Sequence, residues 1–328
     1  MAKVMMLVPR ERVARYGAPG QIPEGWEAVY CLEMTDRERL AAAGDADYLY
    51  TGSTTEVGRE LIDHMPRLRL IQAEGVGFDR IDLAAAAARK IPVCNCAGTN
   101  AGAVAEHTVM LILAVQRFLV EGQREIFAGR FAQCKDRVMV EDMVELSDCR
   151  VGLVGLGSIA VETARRLRPF GCGLCYWSRT PKPELAEELG LSYLPLNDLL
   201  GSCDVVSLHT AATAETRHLI CGETLGLMKP GAVLVNTARG ALVDEDALAE
   251  ALRSGRLVGA GLDVMEEEPL PLDSPLLHLP HEAARRLVLS PHLGGVTGAS
   301  FRRQVAMSWA NLRRHAAGER PEHIVNGL

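Results

Sequence analysis

Residues 151–160 read Val-Gly-Leu-Val-Gly-Leu-Gly-Ser-Ile-Ala, an apolar run that leads directly into Gly155-Leu156-Gly157-Ser158-Ile159-Ala160. The run has the character of a strand, and the turn after it opens a helix, which is the context that makes a G-x-G-x-x-A spacing informative. Gly155 permits the tight turn, Gly157 lets backbone approach a pyrophosphate, and Ala160 keeps helix and strand close. The helix N-terminus offers unpaired N–H groups to the anion. In isolation this is a Gly-rich strand-to-helix turn and no more. Here five further strand-like segments follow, near 173–177, 204–208, 232–236, 257–262 and 286–289. The spacing predicts a doubly wound parallel sheet of the Rossmann type.

The same alternation is present upstream. Strands are expected at 3–8, 48–51, 68–73 and 92–95, and helices at 36–43 behind a cap at Thr35, at 55–64 and after Asp82. This second βα series implies a second parallel sheet with helices on both faces. Residues 103–118 are apolar enough for a buried or interface helix bridging the two domains. The final stretch, 298–317, has helical period and returns beyond the last strand. The fold class read from the chain is therefore α/β, with two doubly wound parallel-sheet domains. The first comprises residues 1–100 plus 293–328, and the second, dinucleotide-binding, residues 101–292. Residues 120–148 read as a long connection with little regular pattern, a length that usually signals function or an interface.

Composition agrees with this division. A chain of 328 residues exceeds the size at which one core stops growing, and 48% apolar residues can fill two. A formal charge of −7 and a pI near 5.8, with scattered Lys and Arg, argue against a nucleic-acid partner. No apolar run reaches the roughly 18 to 20 residues needed to cross a bilayer. The opening apolar residues are interrupted by Pro9-Arg10-Glu11-Arg12 and read as a first strand rather than a signal peptide, so no membrane partner is expected. Nine cysteines without a secretory signal suggest reduced thiols and a cytoplasmic location. Cys172-x-x-Cys175 spans a helix-to-strand turn with no second pair nearby, and no metal is expected.

About 20 residues beyond the fingerprint, NAD-specific proteins place an acid on the adenosine ribose. Here the chain reads Trp177-Ser178-Arg179-Thr180-Pro181-Lys182. A hydroxyl, a guanidinium and an ammonium stand where a carboxylate would repel a 2′-phosphate, so Ser178, Arg179 and Thr180 favour NADP over NAD. The bland alternative is a loop of solvated charges. Three more residues stand at successive strand ends, where open α/β sheets put their ligand crevices. They are Arg239 in Asn236-Thr237-Ala238-Arg239-Gly240, Glu268 before Pro269, and His292 in Ser290-Pro291-His292-Leu293-Gly294-Gly295. A guanidinium grips a carboxylate with two prongs, an imidazole passes a proton near neutral pH, and a carboxylate beside it holds its charge and orientation.

These frames, with Gly75-Val76-Gly77-Phe78-Asp79, Ala103-Val104-Ala105-Glu106-His107 and Gly261-Leu262-Asp263-Val264, occur in one order over essentially the whole chain. In that order they resemble the D-isomer-specific 2-hydroxyacid dehydrogenase family. The resemblance implies a flavodoxin-like substrate domain and a Rossmann cofactor domain, and an enzyme exchanging a hydride between NAD(P)H and a small 2-oxo acid. It implies that Arg239 binds the substrate carboxylate and polarises the 2-oxo group, that His292 donates the proton, and that Glu268 raises the pKa of His292. The backbone at Val76 and Gly77 would complete the carboxylate pocket. Asp263 would hold the nicotinamide carboxamide, and Thr108, Ser158, Ile159, His209, Thr210, Thr237, Ala238 and Gly295 would lie at the cofactor with Gly155 and Gly157.

Departures narrow the branch. Glu268 argues against formate dehydrogenases, which carry Gln there, and Val76 against phosphite dehydrogenases, which carry Lys. Ser178 differs from the acid usual in serine-pathway phosphoglycerate dehydrogenases. The segment at 178–182 instead resembles NADPH-using glyoxylate and hydroxypyruvate reductases. The alternative is a dinucleotide-sensing binding protein, because transcriptional corepressors resemble the family, although they have an aromatic residue where this chain has Gly295. A homodimer is expected, with 103–118 and 120–148 in its interface.

Overall fold

The computed structural model describes residues 2–141 and 143–328. They form two compact units, one of residues 1–100 with 296–328 and the other of residues 101–295. Each is built on its own parallel sheet.

The first unit carries β1 (Lys3–Leu7), β2 (Glu27–Tyr30), β3 (Tyr48–Gly52), β4 (Leu70–Glu74) and β5 (Val93–Cys94) in the spatial order β2-β1-β3-β4-β5, all parallel. Apart from the edge strand β2, the strands are buried on both faces, as a parallel sheet covered on both sides requires. Met5, Leu49 and Ile71 point into one core with Ile62 and Ala85. Met6, Tyr50 and Leu70 point into the other with Trp309 and Leu312 of the terminal helix Gly298–Ala316. That helix starts at Thr297, whose side chain accepts from Ser300 N. The helix Asp36–Ala43 is closed by a reciprocal Thr35/Glu38 capping box, the device expected of Thr35. The expected helix at 55–64 is shorter, Arg59–Asp63, because Val57 makes a bridge to Ile81 instead of continuing a turn.

The second unit carries seven parallel strands. They are β6 (Arg150–Val154), β7 (Gly173–Trp177), β8 (Ser192–Tyr193), β9 (Val205–Leu208), β10 (Ala232–Asn236), β11 (Leu257–Leu262) and β12 (Leu287–Leu289), in the order β12-β11-β10-β9-β6-β7-β8. The helix Ala101–Gln116 is a core helix of this unit. Leu111 and Val115 lie against Gly261 and Gly259 of β11, where an added Cβ would stand 3.1 and 2.6 Å from them. Phe118, in left-handed conformation, ends it, with its ring under the guanidinium of Arg286 at 3.7 Å.

The connection expected to be irregular holds two helices, Leu119–Phe127 and Phe131–Val138. Their amphipathicity is inverted. Glu121 and Glu125 are buried and paired with Arg137 and Arg130 at 2.6 Å each, whereas Phe127 is 83% and Phe131 62% exposed. No single helix among the described residues is long and apolar enough to cross a membrane. Only Ala101–Gln116 and Leu119–Phe127 together reach that length, bent by 59°, and the first is largely core.

Candidate active site

The fingerprint turn sits between β6 and the helix Ser158–Leu167. Gly155 has φ 102°, and a Cβ there would stand 2.7 Å from the carbonyl oxygen of His209, so only glycine allows the turn to close over the end of β9. At Gly157 a Cβ would meet no protein atom within 4 Å, and no side chain caps the helix that begins there. A buried Ala160 brings that helix onto the sheet. An uncapped helix N-terminus beside open glycine backbone fits the pyrophosphate of a dinucleotide. His209 is half-buried with Nε2 2.9 Å from Ser207 Oγ, and desolvation of the ring pulls its pKa down to about 4, so the ring is neutral at this turn.

Asn236, the buried last residue of β10, shapes the next loop. Its Nδ2 donates to the Arg239 carbonyl at 2.8 Å, and its Oδ1 accepts from Ala238 N at 3.0 Å. Thr237 Oγ1 lies 2.8 Å from Thr108 Oγ1, which donates to Val104 O, tying the loop to the helix Ala101–Gln116. Gly240 admits no side chain at all, because a Cβ would fall 1.9 Å from the carbonyl of Met265. That contact presses the Arg239 loop against the segment carrying Glu268.

Glu268 and His292 meet directly. His292 Nδ1 donates to Glu268 Oε2 at 2.8 Å, and Glu268 Oε1 accepts from Met265 N at 3.1 Å. The hydrogen bond to Glu268 raises the His292 pKa above that of a free imidazole, against the opposing effect of burial. Burial pushes Glu268 up, but the bond and charge of His292, the Met265 N–H and the Arg239 charge together outweigh it and hold the carboxylate low. The Arg239 charge lowers both, so all three groups act on one another. His292 Nε2 has no partner among the described residues. The arrangement is an imidazole whose cation is favoured by Glu268, with one nitrogen clamped and the other able to deliver a proton, in the field of the Arg239 charge.

The His292 turn is held by Asp263. Its Oδ1 accepts from Ser290 Oγ at 2.6 Å and Leu293 N at 2.8 Å, its Oδ2 from Gly294 N at 2.8 Å, and its carbonyl from His292 N at 2.8 Å. His107 Nε2 lies 2.8 Å from Ser290 Oγ and 3.1 Å from Asp263 Oδ1. These bonds keep the Asp263 carboxyl ionised although burial opposes it. His292 itself sits at φ 54°, a conformation that a histidine holds only where its surroundings enforce it. Sequence reasoning quoted Ser290 and Gly294 as motif letters and missed their work. The only signal in the sequence was the Gly294-Gly295 pair, whose reason is tertiary, since a Cβ on Gly294 would stand 2.8 Å from Asp263 Oδ2.

The remaining expected residues fall into two places. Ser178, Arg179 and Thr180 follow β7 in the same unit, with Ser178 Oγ donating to Thr180 O at 2.7 Å. Lys182 Nζ is engaged by Leu156 O at 2.9 Å, and Arg179 and Lys182 are both exposed. Thr210 N lies 3.0 Å from the position of a Cβ on Gly155, and Gly295 follows the Asp263-bound turn. Val76 and Gly77 belong to the other unit, after β4. Asn95 Nδ2 binds the Val76 carbonyl at 2.7 Å, while the N–H groups of Val76 and Gly77 have no acceptor among the described residues.

The sequence pattern of "D-isomer specific 2-hydroxyacid dehydrogenase, NAD binding domain" matches residues 109–294. The chain belongs to this family. A glyoxylate reductase of Aeropyrum pernix is 40% identical over 316 residues, covering 93% of each chain. Among solved structures, a glyoxylate reductase from Paecilomyes thermophila superposes with TM-score 0.85 at 29% identity over 99% of this chain and 98% of that one. The D-mandelate dehydrogenase of Rhodotorula graminis gives 0.88 at 28% identity over 99% and 97%. This member of the D-2-hydroxyacid dehydrogenases is thus an oxidoreductase acting on CH–OH donors with a nicotinamide cofactor. The relatives named carry enzymatic descriptions, and the dinucleotide-sensing alternative finds no support in them.

Proposed function

We propose that this chain is a reductase of small 2-oxo acids of the glyoxylate or hydroxypyruvate type, giving the D-2-hydroxy acid and preferring NADPH. The observation that carries it is the 2.8 Å His292–Glu268 pair within the electrostatic reach of Arg239. Bound reduced nicotinamide supplies the hydride for C2. Arg239 binds the substrate carboxylate through its planar fork and draws electron density from the 2-oxo oxygen. His292, kept cationic by Glu268, gives its Nε2 proton to that oxygen, and Glu268 then faces a neutral imidazole until solvent restores the proton. The unpaired N–H groups of Val76 and Gly77 are assigned to the same carboxylate. Gly155, Gly157, Ser158 and Ile159 are assigned to the pyrophosphate side of the cofactor. Thr108, His209, Thr210, Thr237, Ala238, Asp263 and Gly295 are assigned to its remainder, and Asp263 Oδ2, with one N–H bound, keeps a lone pair for a carboxamide.

NADPH preference rests on the Ser178-Arg179-Thr180 loop, which has no carboxylate and presents an exposed guanidinium. In a panel of 2-oxo acids assayed with both cofactors, kcat/KM should be higher with NADPH. Ser178→Asp with Arg179→Gln should then shift the ratio toward NADH by about tenfold or more, since one charge-assisted bond is worth roughly 1.5 to 3 kcal/mol. A wild-type preference for NADH defeats the assignment of this loop. Failure to reduce any 2-oxo acid with either cofactor defeats the functional reading itself.

We also infer a homodimer. Support comes from the outward faces of Leu119–Phe127 and Phe131–Val138 and the residues just after the second, where Phe127, Phe131, Met139 and Val140 are each more than 60% exposed. They stand beside a cleft of about 320 Å³ lined by Phe118, Ile126, Phe131 and Met143. Apolar area of this kind is unfavourable in water and is normally covered by a partner. Light scattering should give twice the 35.5 kDa chain mass. Phe127→Lys with Val140→Asp should halve it. A wild-type mass of one chain at working concentrations refutes the inference. With nine cysteines free and no disulfide needed, a reducing, cytoplasmic setting suits the chain.

A further inference from the structure

The five-stranded sheet of the first unit reverses its winding between β1 and β3, and the crevice at the carboxyl ends of those two strands is where a sheet of this order receives ligands. Arg12 stands there, on the short helix Arg10–Tyr16 that follows β1. Its Nη2 is 3.9 Å from where a Cβ of Gly52, the last residue of β3, would lie, and its guanidinium rests over the Phe301 ring at 5.3 Å. The side chain is fixed from below. Glu74, the 3% exposed last residue of β4, brings Oε1 to 2.9 Å from Arg12 Nε, and Tyr50 OH donates to Glu74 Oε2 at 2.6 Å.

This is a costly device for a strand end. A carboxylate is buried one residue before the Gly75-Val76-Gly77 turn, and a guanidinium is recruited to balance it. A purely structural cation would turn its remaining donors to backbone carbonyls, as Arg89 does with Met65 O at 2.8 Å. Arg12 does not. Among the described residues its two terminal nitrogens have no acceptor, and 27% of the side chain remains exposed. Ser53 lies 3.0 Å from the position of a Cβ on Gly75, so Arg12, Gly52, Ser53 and the Val76 turn follow one another along a single edge.

We propose that Arg12 is a specificity-determining residue that hydrogen-bonds an oxygen on the third carbon of the 2-oxo acid, so that an acid bearing a hydroxymethyl group is preferred over its methyl counterpart. The inference rests on the reductase reading and on the assignment of Val76 and Gly77 to substrate. A guanidinium facing a methyl group gives up water and gains no bond, whereas a hydroxyl accepts from it. Glu74 is a positioning residue, itself held by Tyr50, whose charge pairs with the Nε side of the fork and leaves its far side open.

The test is the ratio of kcat/KM for hydroxypyruvate over pyruvate, each with saturating reduced nicotinamide. A ratio between two substrates survives any general loss of activity. The wild-type ratio should be about tenfold or more, as expected for a partly solvated bond to a charged donor. In Arg12→Met with Glu74→Gln, which removes both charges together, the ratio should fall to within about threefold of one, with the change in KM for hydroxypyruvate. Arg12→Lys keeps a cation beside Glu74 without the two terminal nitrogens, and its ratio should fall as well. That variant decides the matter if the double variant does not fold. A wild-type ratio near one, or a ratio unchanged in either variant, overturns the proposal while leaving the reductase reading intact. A wild type that reduces neither these acids nor glyoxylate overturns both.

Discussion

His292→Gln should lower kcat for reduction of a 2-oxo acid by roughly 10² to 10⁴, the usual worth of a positioned general acid. The thermal midpoint should move little, because the side chain is 39% exposed and its main partner Glu268 is 32% exposed. The pH profile adds a sharper readout. The reactive form of His292 is the cation, so the reduction rate is full below its folded pKa and falls as pH rises through it. That pKa lies above the ordinary imidazole value, chiefly through the hydrogen bond to Glu268. Glu268→Gln removes this cause and leaves burial, which lowers the pKa. The descending limb of kcat/KM should therefore move to lower pH, and activity at neutral pH should drop even where kcat on the acid side is retained. A limb that stays in place in Glu268→Gln would show that another group delivers the proton.

Arg239→Lys should lower kcat/KM for every 2-oxo acid by roughly 10² to 10³, the effect of losing a donor aimed at developing charge. An ammonium is a single point of charge and cannot hold a carboxylate with two parallel bonds while polarising a neighbouring oxygen. Folding should be affected less than activity, since Asn236 and the close approach of Gly240 to Met265 also shape the loop, beside the bond from Arg239 Nη1 to Ala238 O at 2.7 Å. The loss should appear in both KM and kcat. Near-native kcat/KM in the Lys variant would falsify the clamp. Comparing urea midpoints of the two proteins separates a catalytic loss from a folding one.

Much of this was legible because the chemistry of the chain is written at strand ends. A βα series with a strand-to-helix glycine turn fixes which end of the sheet receives ligands, and Arg239, Glu268 and His292 then stand on that end in order. The buried parallel strands were found as apolar runs with their bounds nearly right, β10 and β11 among them. The elements missed were those in which local pattern and tertiary role disagree. β2 is a partly exposed edge strand, and β8 has two residues, so neither carries a core signal. The helices Leu119–Phe127 and Phe131–Val138 were hidden because their acids point inward to arginines and their phenylalanines outward, the reverse of the period a reader looks for.

By itself the sequence determined the fold class, the family resemblance, the strand-to-helix glycine turn and the order of Arg239, Glu268 and His292 at successive strand ends. These depend on residue type and on order along strands, and both are properties of the chain alone. Only the tertiary structure decided how those side chains are held. Asp263 gathers Ser290, Leu293 and Gly294 into the turn that presents His292, and Gly240 admits the backbone of Met265. Arg12 finds Glu74 from 62 residues away in the chain. Such contacts join positions whose separation in sequence carries no local signal, and they exist only once strands have paired and brought their ends to one edge.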